Sequence, residues 1–582
     1  MIRGQVIQSI RSVNTVRQKA EFMTTKGFGN NSIVLVQSTD VADFANSSAL
    51  IVDPAPMDRS ILVNQVREFG FRGVQQCARL SDALEKFSAN ETFDVLLCEH
   101  TFLNENTSAV DLIDDLRSKQ LLPLSTVVFL ITGEARYAKV SEAAESGLDA
   151  YILKPHRANQ LHDRLKLSLT RKKSLRHVFD AILAKEFAMA ADFCLERYMF
   201  RGPFWLYAAR IGAELLMRVK RFNEAQDLYE AIAAANAMPW AKLGVARAQL
   251  EDGNLSDATT TLSALIEDEP TFVDAYDVLA RAQFDTGDVQ RARSTYAMAA
   301  KMTPDSVTRN QNFGMMMFYA GDIAEAALLL DKSVRLGRDS KLFDCQTLVA
   351  LGFTALHAGD RKSLQRCLTD FELLLAKKPD SPRHIRNAQI LRLHMMLLDG
   401  QASDFAKAVA TIAQVILQPE FEFEAAANLV SLLASAAKFQ LKIERPHEAL
   451  VAISMRFCTN RSLTDILAGA AFESPSYAEI IKEGGQKVQM IAQNCLSISM
   501  RGDPASAVRQ LLSEGEKTKN SKFIDSAGQL LSRYQAKVKD YDVLHVRATA
   551  LRDKFCHVAL NRSNNPMAAP GARGAGELIL RA

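Results

Sequence analysis

The sequence is poor in cysteine and tryptophan, and it has no long apolar run. Its 582 residues include only eight cysteines and two tryptophans. The cysteines are scattered, none forms a C-x-x-C pair, and no zinc-ligand spacing appears. We therefore expect neither a disulfide framework nor a structural metal, and reduced thiols favour a cytoplasmic protein.

Membrane segments and an excess of basic charge are also lacking. No apolar run approaches the roughly 18 residues that a membrane-spanning helix needs. The basic N-terminus is not followed by the apolar core of a signal peptide. The 70 Lys and Arg residues nearly balance the 67 Asp and Glu residues, which leaves a net charge of +3. Neither a membrane nor a nucleic acid is therefore an expected partner.

The chain is too long for one hydrophobic core, and its pattern divides it into four parts. Residues 1–47 have weak periodicity and are predicted to be a flexible arm, in which Ile33 to Val36 could form an edge strand. Residues 48–170 alternate short apolar runs with amphipathic stretches. Residues 171–560 are amphipathic helices throughout. Residues 561–582 are rich in glycine and proline and are predicted to be a disordered tail.

The second part has the pattern of a parallel sheet covered by helices. The predicted strands are Ala49 to Val52, Gly73 to Cys77, Asp94 to Cys98, Thr126 to Ile131 and Ala150 to Leu153. The helical stretches are Met57 to Phe69, Ser81 to Phe87, Val110 to Ser118, Tyr137 to Glu145 and Arg157 to Leu169. Continuous apolar strands are typical of a sheet buried on both faces. The pattern predicts a flavodoxin-like, doubly wound α/β domain.

Polar residues follow four of these strands, at the edge where functional groups gather in such a sheet. They are Asp53, Glu99, Thr132 and Lys154. Together with their surroundings, from Leu50 to Pro56, Asp94 to Glu99, Phe129 to Gly133 and Gly147 to Pro155, they resemble the receiver domain of two-component response regulators.

The resemblance implies a phosphorylation pocket and also shows where this chain departs from it. In the family, two acids after the first strand and one after the third hold Mg²⁺, and the third acid accepts the phosphoryl group. Asp53 matches the first acid, but Pro54 occupies the second position and Glu99 stands at the acceptor position. Thr132 and Lys154 match the hydroxyl and the lysine that contact the phosphoryl oxygens.

Tyr151 matches an aromatic position that often changes rotamer when receivers switch. Pro54 supplies no carboxylate, and Glu99 is one methylene longer than aspartate, so Mg²⁺ binding is expected to be lost or weak. The pocket is thus predicted to be degenerate. In one interpretation Lys154 pairs with Asp53 or Glu99 and only holds the strand ends together.

In a second interpretation, the Glu99 carboxylate stands where a phosphoaspartate would carry its charge. It would then accept bonds from Thr132 and Lys154 and hold the module in an active-like state. Residual phosphorylation at another acid is a third interpretation.

The helical part contains a 34-residue period. The repeating positions are Ala246, Ala280 and Gly314; Gly253, Gly287 and Gly321; Ala258, Ala292 and Ala326; Leu262, Tyr296 and Leu330; and Pro270 and Pro304. The small residues suit a close helix crossing, and the glycines suit a turn with positive φ. The pattern resembles the tetratricopeptide repeat. Weaker units extend both ways, for a total of about eight to ten helical pairs.

Tetratricopeptide arrays bind peptides or partner helices on a concave face. The run Met315 to Met317 is interpreted as core filling, with a role in lining a groove as the alternative. The basic stretch Arg171 to Lys173 with Arg176 is expected to be solvated, or to recruit an acidic partner.

No motif of an enzyme is evident, so no catalytic residue is assigned. We expect an atypical response regulator that acts as a scaffold in signal transduction, with other proteins as partners, such as a sensor kinase. An orthodox phosphorelay regulator, switched by phosphorylation of its receiver domain, is the alternative.

Overall fold

The computed structural model describes residues 44–89, 91–102, 108–133, 148–235, 238–338, 340 and 342–556. The predicted arm lies outside the described residues except for its last four. The predicted edge strand from Ile33 to Val36, the predicted helix from Tyr137 to Glu145 and the predicted tail, residues 561–582, also lie outside them.

Five parallel strands form one sheet in the order β2-β1-β3-β4-β5. They are β1 (Ser48–Val52), β2 (Gly73–Cys77), β3 (Val95–Cys98), β4 (Val127–Thr132) and β5 (Ala150–Leu153). The central strands β3 and β4 are buried along their whole length, whereas β2 and β5 are partly exposed at the edges. The predicted flavodoxin-like α/β fold is confirmed.

Helices connect and cover these strands. The described ones are α1 (Pro56–Glu68), α2 (Leu80–Ser88), α3 (Ala109–Ser118) and α4 (Ala158–Ser174). Ser108 caps α3 reciprocally: its hydroxyl accepts from the Asp111 backbone N–H, and the Asp111 carboxylate accepts from the Ser108 N–H. Helix α4 extends five residues beyond the predicted end at Leu169, so the boundary predicted at residue 170 falls inside a continuous helix.

The remaining described chain is an array of helices. They are α5 (Arg176–Leu183), α6 (Phe187–Met199), α7 (Trp205–Arg218), α8 (Phe222–Ala235), α9 (Pro239–Glu251), α10 (Leu255–Asp268), α11 (Val273–Asp285), α12 (Val289–Met302), α13 (Val307–Tyr319), α14 (Ile323–Gly337), α15 (Gln346–Ala358), α16 (Arg361–Lys377), α17 (Pro382–Leu398), α18 (Ala402–Gln414), α19 (Phe423–Lys438), α20 (Pro446–Phe457), α21 (Arg461–Ala470), α22 (Pro475–Met500), α23 (Pro504–Thr518), α24 (Ser521–Arg533) and α25 (Tyr541–Phe555). No helix in the described residues is long and apolar enough to span a membrane.

The 34-residue period has the predicted structural basis. Gly253, Gly287 and Gly321 follow the first helices of three successive pairs, with φ of +88°, +85° and +83°. Side chains rarely adopt this conformation, so glycine suits the turn. Ala258, Ala292 and Ala326 are wholly buried in the second helices. Their burial agrees with the interpretation of these alanines as helix-crossing positions.

A continuous helix and a buried contact join the sheet domain to the array. Leu124, in the loop before β4, belongs to the same apolar cluster as the first helices of the array. The Lys172 ammonium donates to the Leu124 carbonyl. Arg171 donates to Asp149 over 3.0 Å and stacks on Tyr207.

The expectation that this basic stretch is solvated is wrong for Arg171 and Lys172. Both side chains face the joint between the domains, because Asp149 offers an anionic partner there. Lys173 and Arg176 are exposed, as expected.

Candidate functional site

The carboxyl ends of four strands form the candidate pocket. Asp53 follows β1, Glu99 follows β3, Thr132 ends β4 and Lys154 follows β5. The two acids and the threonine are buried. Hydrogen bonds continue the sheet beyond its strands here, with the Glu99 N–H donating to Val52 and the Lys154 N–H donating to Thr132. The sheet therefore brings the four predicted site residues to one edge.

The Lys154 ammonium lies at the centre of this pocket. Its Nζ is 2.7 Å from Asp53 Oδ2, 2.8 Å from Asp58 Oδ2 and 2.9 Å from Glu99 Oε2. Burial opposes the charge on the ammonium, but the hydrogen bonds to the three carboxylates outweigh it and raise the pKa of Lys154 above its ordinary value. Lys154 therefore stays protonated at neutral pH and serves as the counter-ion of all three acids.

Backbone groups fix the two buried carboxylates. Asp53 Oδ1 accepts from the Ala55 N–H at 2.8 Å. Glu99 Oε1 accepts from the N–H groups of His100 at 2.7 Å and Thr101 at 3.2 Å. Each carboxylate thus presents one oxygen to its own loop and the other to Lys154.

The aromatic position Tyr151 lies in β5 and is half-buried. Its hydroxyl is 3.4 Å from Nδ1 of His100, the residue that follows Glu99. Tyr151 thus contacts the loop that follows β3. A movement of its ring would change the contact with His100, the residue next to Glu99.

The residues present differ from the magnesium site that the fold implies. Mg²⁺ needs near-octahedral oxygen ligands at about 2.0–2.1 Å, whereas these carboxylates converge on an ammonium. A proline replaces the second acid of the first strand. In the described part of the chain, no group of three or more His, Cys, Asp or Glu side chains is arranged to hold a metal ion.

Asp58 is the pocket residue that the sequence reasoning missed. It lies in the first turn of α1, which Pro56 begins, and its side chain is 43% exposed. A carboxylate is stabilised at a helix N-terminus, and this helix begins at the same sheet edge as the pocket. An acid five residues after Asp53, directly behind a helix-starting proline, is the signal that could have identified it.

The candidate partner surface of the array is the face lined by the first helices of the pairs, α11, α13, α15 and α17. Met315, Met316 and Met317 in α13 are all buried, which confirms that they fill the core. They do not line an open groove.

Part of this face is covered by later helices of the same chain. Gln346 of α15 donates to Asn428 of α19 over 2.7 Å, and Arg383 of α17 pairs with Glu424 of α19. Helix α19 is consequently buried over most of its length. Along this stretch, α19 therefore covers part of α15 and α17.

Comparison with known proteins agrees with the two-part architecture. The response regulator receiver domain family matches residues 49–166, and a tetratricopeptide repeat family matches residues 216–278. Chemotaxis protein CheY-3 of Vibrio cholerae serotype O1 is 30% identical over 120 residues, which are 21% of this chain and 89% of that protein. Through these residues, the chain belongs to the response regulator receiver family.

Two solved structures are similar to parts of this chain. A response regulator receiver domain protein from Clostridium thermocellum is 19% identical, covers 22% of this chain and 98% of its own, and has a TM-score of 0.20. A thermophilic tetratricopeptide repeat protein of Thermus thermophilus is 21% identical, covers 30% of this chain and 94% of its own, and has a TM-score of 0.25. By its two family matches, the chain joins a response regulator receiver domain to repeats of a protein-interaction type.

Proposed function

We propose that this protein is an atypical response regulator that acts as a cytoplasmic protein-interaction scaffold without phosphorylation of its receiver domain. Its partners are other proteins of a signalling pathway, such as a sensor kinase, and it catalyses no reaction of its own. The free state of all eight cysteines supports a reducing compartment.

The observation that carries this proposal is the position of the Lys154 ammonium between three carboxylates. A lysine that balances Asp53, Asp58 and Glu99 leaves less negative charge to attract a divalent cation. Phosphoryl transfer depends on such a cation and on in-line positioning of the acceptor. The bonds of Lys154 to Asp53 and Asp58 support a structural pocket, the first of the interpretations above, while its bond to Glu99 agrees with the first and the second.

The experiment titrates the full chain with Mg²⁺ by calorimetry and then adds acetyl phosphate or beryllofluoride. We expect no saturation below about 1 mM Mg²⁺, an order of magnitude set by the reluctance of this ion to lose its water, and no phosphoprotein. Saturable binding with phosphorylation of the unaltered chain would support the orthodox phosphorelay regulator instead.

A gain-of-function variant provides the matched control. Pro54→Asp combined with Glu99→Asp restores the acidic set of the family in the same fold. We expect this variant to bind Mg²⁺ at least about tenfold more tightly, because carboxylates are the preferred ligands. If the variant binds no better than the parent chain, the loss of these acids is not the reason for weak binding.

The scaffold role is tested by affinity capture with the full chain. We expect the same partner proteins to be recovered with and without acetyl phosphate, because the receiver pocket does not switch. Partner recovery that requires acetyl phosphate would contradict the proposal.

A further inference from the structure

Helix α21 and the residues after it contact the repeat face across more than 110 residues of sequence. The Ser462 hydroxyl donates to Asp285 Oδ1, at the end of α11, over 2.7 Å. The Phe472 ring packs edge-on against Phe318 of α13, with ring centroids 5.5 Å apart. These contacts place α21 across the ends of two successive first helices.

The closest approach is at Gly469. A Cβ atom at this position would lie 1.9 Å from the carbonyl oxygen of Tyr319, the last residue of α13. No side chain fits there unless the two helices separate. Ile466 and Leu467, which precede the glycine, are fully buried. Helix α21 therefore has the apolar residues and the small residue of a helix that docks into a groove.

A charged cluster fixes the segment that follows α21. Glu473 Oε1 lies 2.8 Å from His357 Nδ1, at the end of α15, and 2.7 Å from Lys438 Nζ. Ser435 donates to the other oxygen over 2.6 Å. Burial alone would raise the pKa of Glu473, but these hydrogen bonds outweigh it and lower the pKa. A charged Glu473 thus binds the segment to α15, in addition to its contacts with α11 and α13.

We propose that residues 459–474 are an internal ligand of the repeat face, held against α11, α13 and α15, and that a partner helix of the same pattern binds by displacing them. The pattern is a short helix with two aliphatic anchors, a small residue two positions after them and an aromatic ring three positions further. This inference rests on the proposed scaffold function, because it assigns the face through which partners are recognised.

The contacts on the two sides of α21 differ in a way that suits displacement. Towards α19, Ser431 donates to the Ala470 carbonyl, and Glu473 bonds Ser435 and Lys438, so α21 is bound to its own neighbours in the chain. Towards α11 and α13, the contact consists of the hydrogen bond of Ser462, the close approach at Gly469, the Phe472 ring and the apolar cluster that Ile466 and Leu467 share with α13. In the proposed displacement, α21 therefore separates from α11 and α13 and stays bound to α19.

The experiment compares Gly469→Ala with the matched control Gly528→Ala in the full chain. Gly528 is also a helical glycine, but a Cβ there meets nothing within 4 Å. Alanine favours both helices intrinsically, so only the contact with Tyr319 distinguishes the variants. Hydrogen exchange is followed in residues 461–474 and 307–319, and fluorescence anisotropy measures binding of a labelled peptide of residues 459–474.

We expect Gly469→Ala to stay folded, to exchange faster in both segments and to bind the peptide at least about tenfold more tightly than the unaltered chain or Gly528→Ala, which corresponds to about 1.4 kcal/mol. Two results would overturn the proposal. One is loss of the whole cooperative melting transition in Gly469→Ala, which makes α21 a permanent core helix. The other is local opening without peptide binding.

The combined variant Ser462→Ala and Phe472→Ala tests whether the effect of Gly469→Ala depends on the loss of contact with the repeat face or only on the replaced glycine. It removes a hydrogen bond and a ring contact to the same face, and it should show the same local opening and peptide binding. Peptide binding to the opened face together with failure to capture any cellular protein would refute the proposed scaffold function while leaving the internal ligand in place.

Discussion

At the level of single residues, Asp149 is the side chain on which the joint between the domains depends. It pairs with Arg171 and accepts from the Val128 N–H, and Lys172 Nζ lies 3.5 Å away. Burial lowers the pKa of Lys172, and the nearby charge of Asp149 opposes this effect. Breaking a buried ion pair from one side leaves an uncompensated charge.

Asp149→Asn is therefore expected to destabilise the full chain by about 3 kcal/mol, at the low end of the range for broken buried pairs. Urea unfolding measures the change. Asp163→Asn is the matched control, since Asp163 is 78% exposed and its partner His162 is a surface residue; it should change stability little. Adding Lys172→Met to Asp149→Asn should recover part of the loss, and no recovery would contradict this account.

A second residue predicts a dependence on pH. His394 is fully buried, neither ring nitrogen has a hydrogen-bond partner among the described residues, and burial lowers its pKa from 6.5 to about 3. The unfolded chain binds a proton below pH 6.5, while the folded chain stays neutral until about pH 3. The stabilisation from neutral His394 is thus present above pH 6.5 and is lost as the pH falls towards 3.

Between pH 7 and pH 4.5 this residue should cost about 3 kcal/mol of stability, at 1.36 kcal/mol per unit. Urea unfolding at both pH values, for the unaltered chain and for His394→Leu, isolates the contribution. The variant should lose clearly less stability on acidification. An equal loss in both chains would show that other groups carry the acid sensitivity.

At the level of elements, the sequence predicted most of the secondary structure because its signals are local. Alternating strand and helix patterns located β1 to β5, and the 34-residue period located the turns at Gly253 and Gly287. Turns are not recognisable in the sequence where a residue other than glycine adopts the positive φ. Lys185 and Lys220 both have a φ of +61° at helix ends, where glycine would have marked the turn.

The pocket and the covered face contain contacts that local sequence patterns do not predict. Asp53, Glu99 and Lys154 could be placed together because strand order brings strand ends to one edge. Asp58 belongs to a helix, and its approach to Lys154 depends on how α1 packs. The contact between Ser462 and Asp285 joins residues 177 positions apart, and no periodicity in the sequence encodes such a contact.

The helix crossings give a prediction at this level. Ala292 in α12 has no exposed surface, so Ala292→Leu should overpack its helix pair and cost about 1–3 kcal/mol. Thermal melting measures the cost, and Ala550→Leu, at an exposed position of α25, is the control that should be nearly neutral. Partner binding should fall only as far as the fold is lost. Abolished binding with an unchanged melting curve would place Ala292 on a binding surface.

At the level of the whole molecule, the receiver domain and the array are predicted to be separable, although they share a helix. Repeats contact mainly their neighbours in the chain. Removal of residues 1–171 should therefore leave a helical array that melts cooperatively. Its melting temperature should fall by a few degrees, because the cluster around Leu175 and Tyr207 loses its cover from Leu124.

Leu124→Ser in the full chain is the companion measurement, since it removes the same apolar contact and keeps the receiver domain. Circular dichroism of both proteins should show similar small decreases in melting temperature. A molten or aggregated array after truncation would mean that the receiver domain is an obligatory cap of the first helices.

The contact between Asp285 and Ser462 also connects the middle of the array to a much later helix, so that the chain between them forms a closed loop. A cut at the turn around Gly400 would leave the two fragments joined by the polar contacts of Gln346, Arg383 and Ser462 as well as by apolar packing. Such a molecule is expected to stay folded after a single proteolytic cleavage. In an open solenoid, by contrast, each cleavage creates a new end from which the repeats can unfold. The same closed loop makes this protein suited to reconstitution from two separately produced halves.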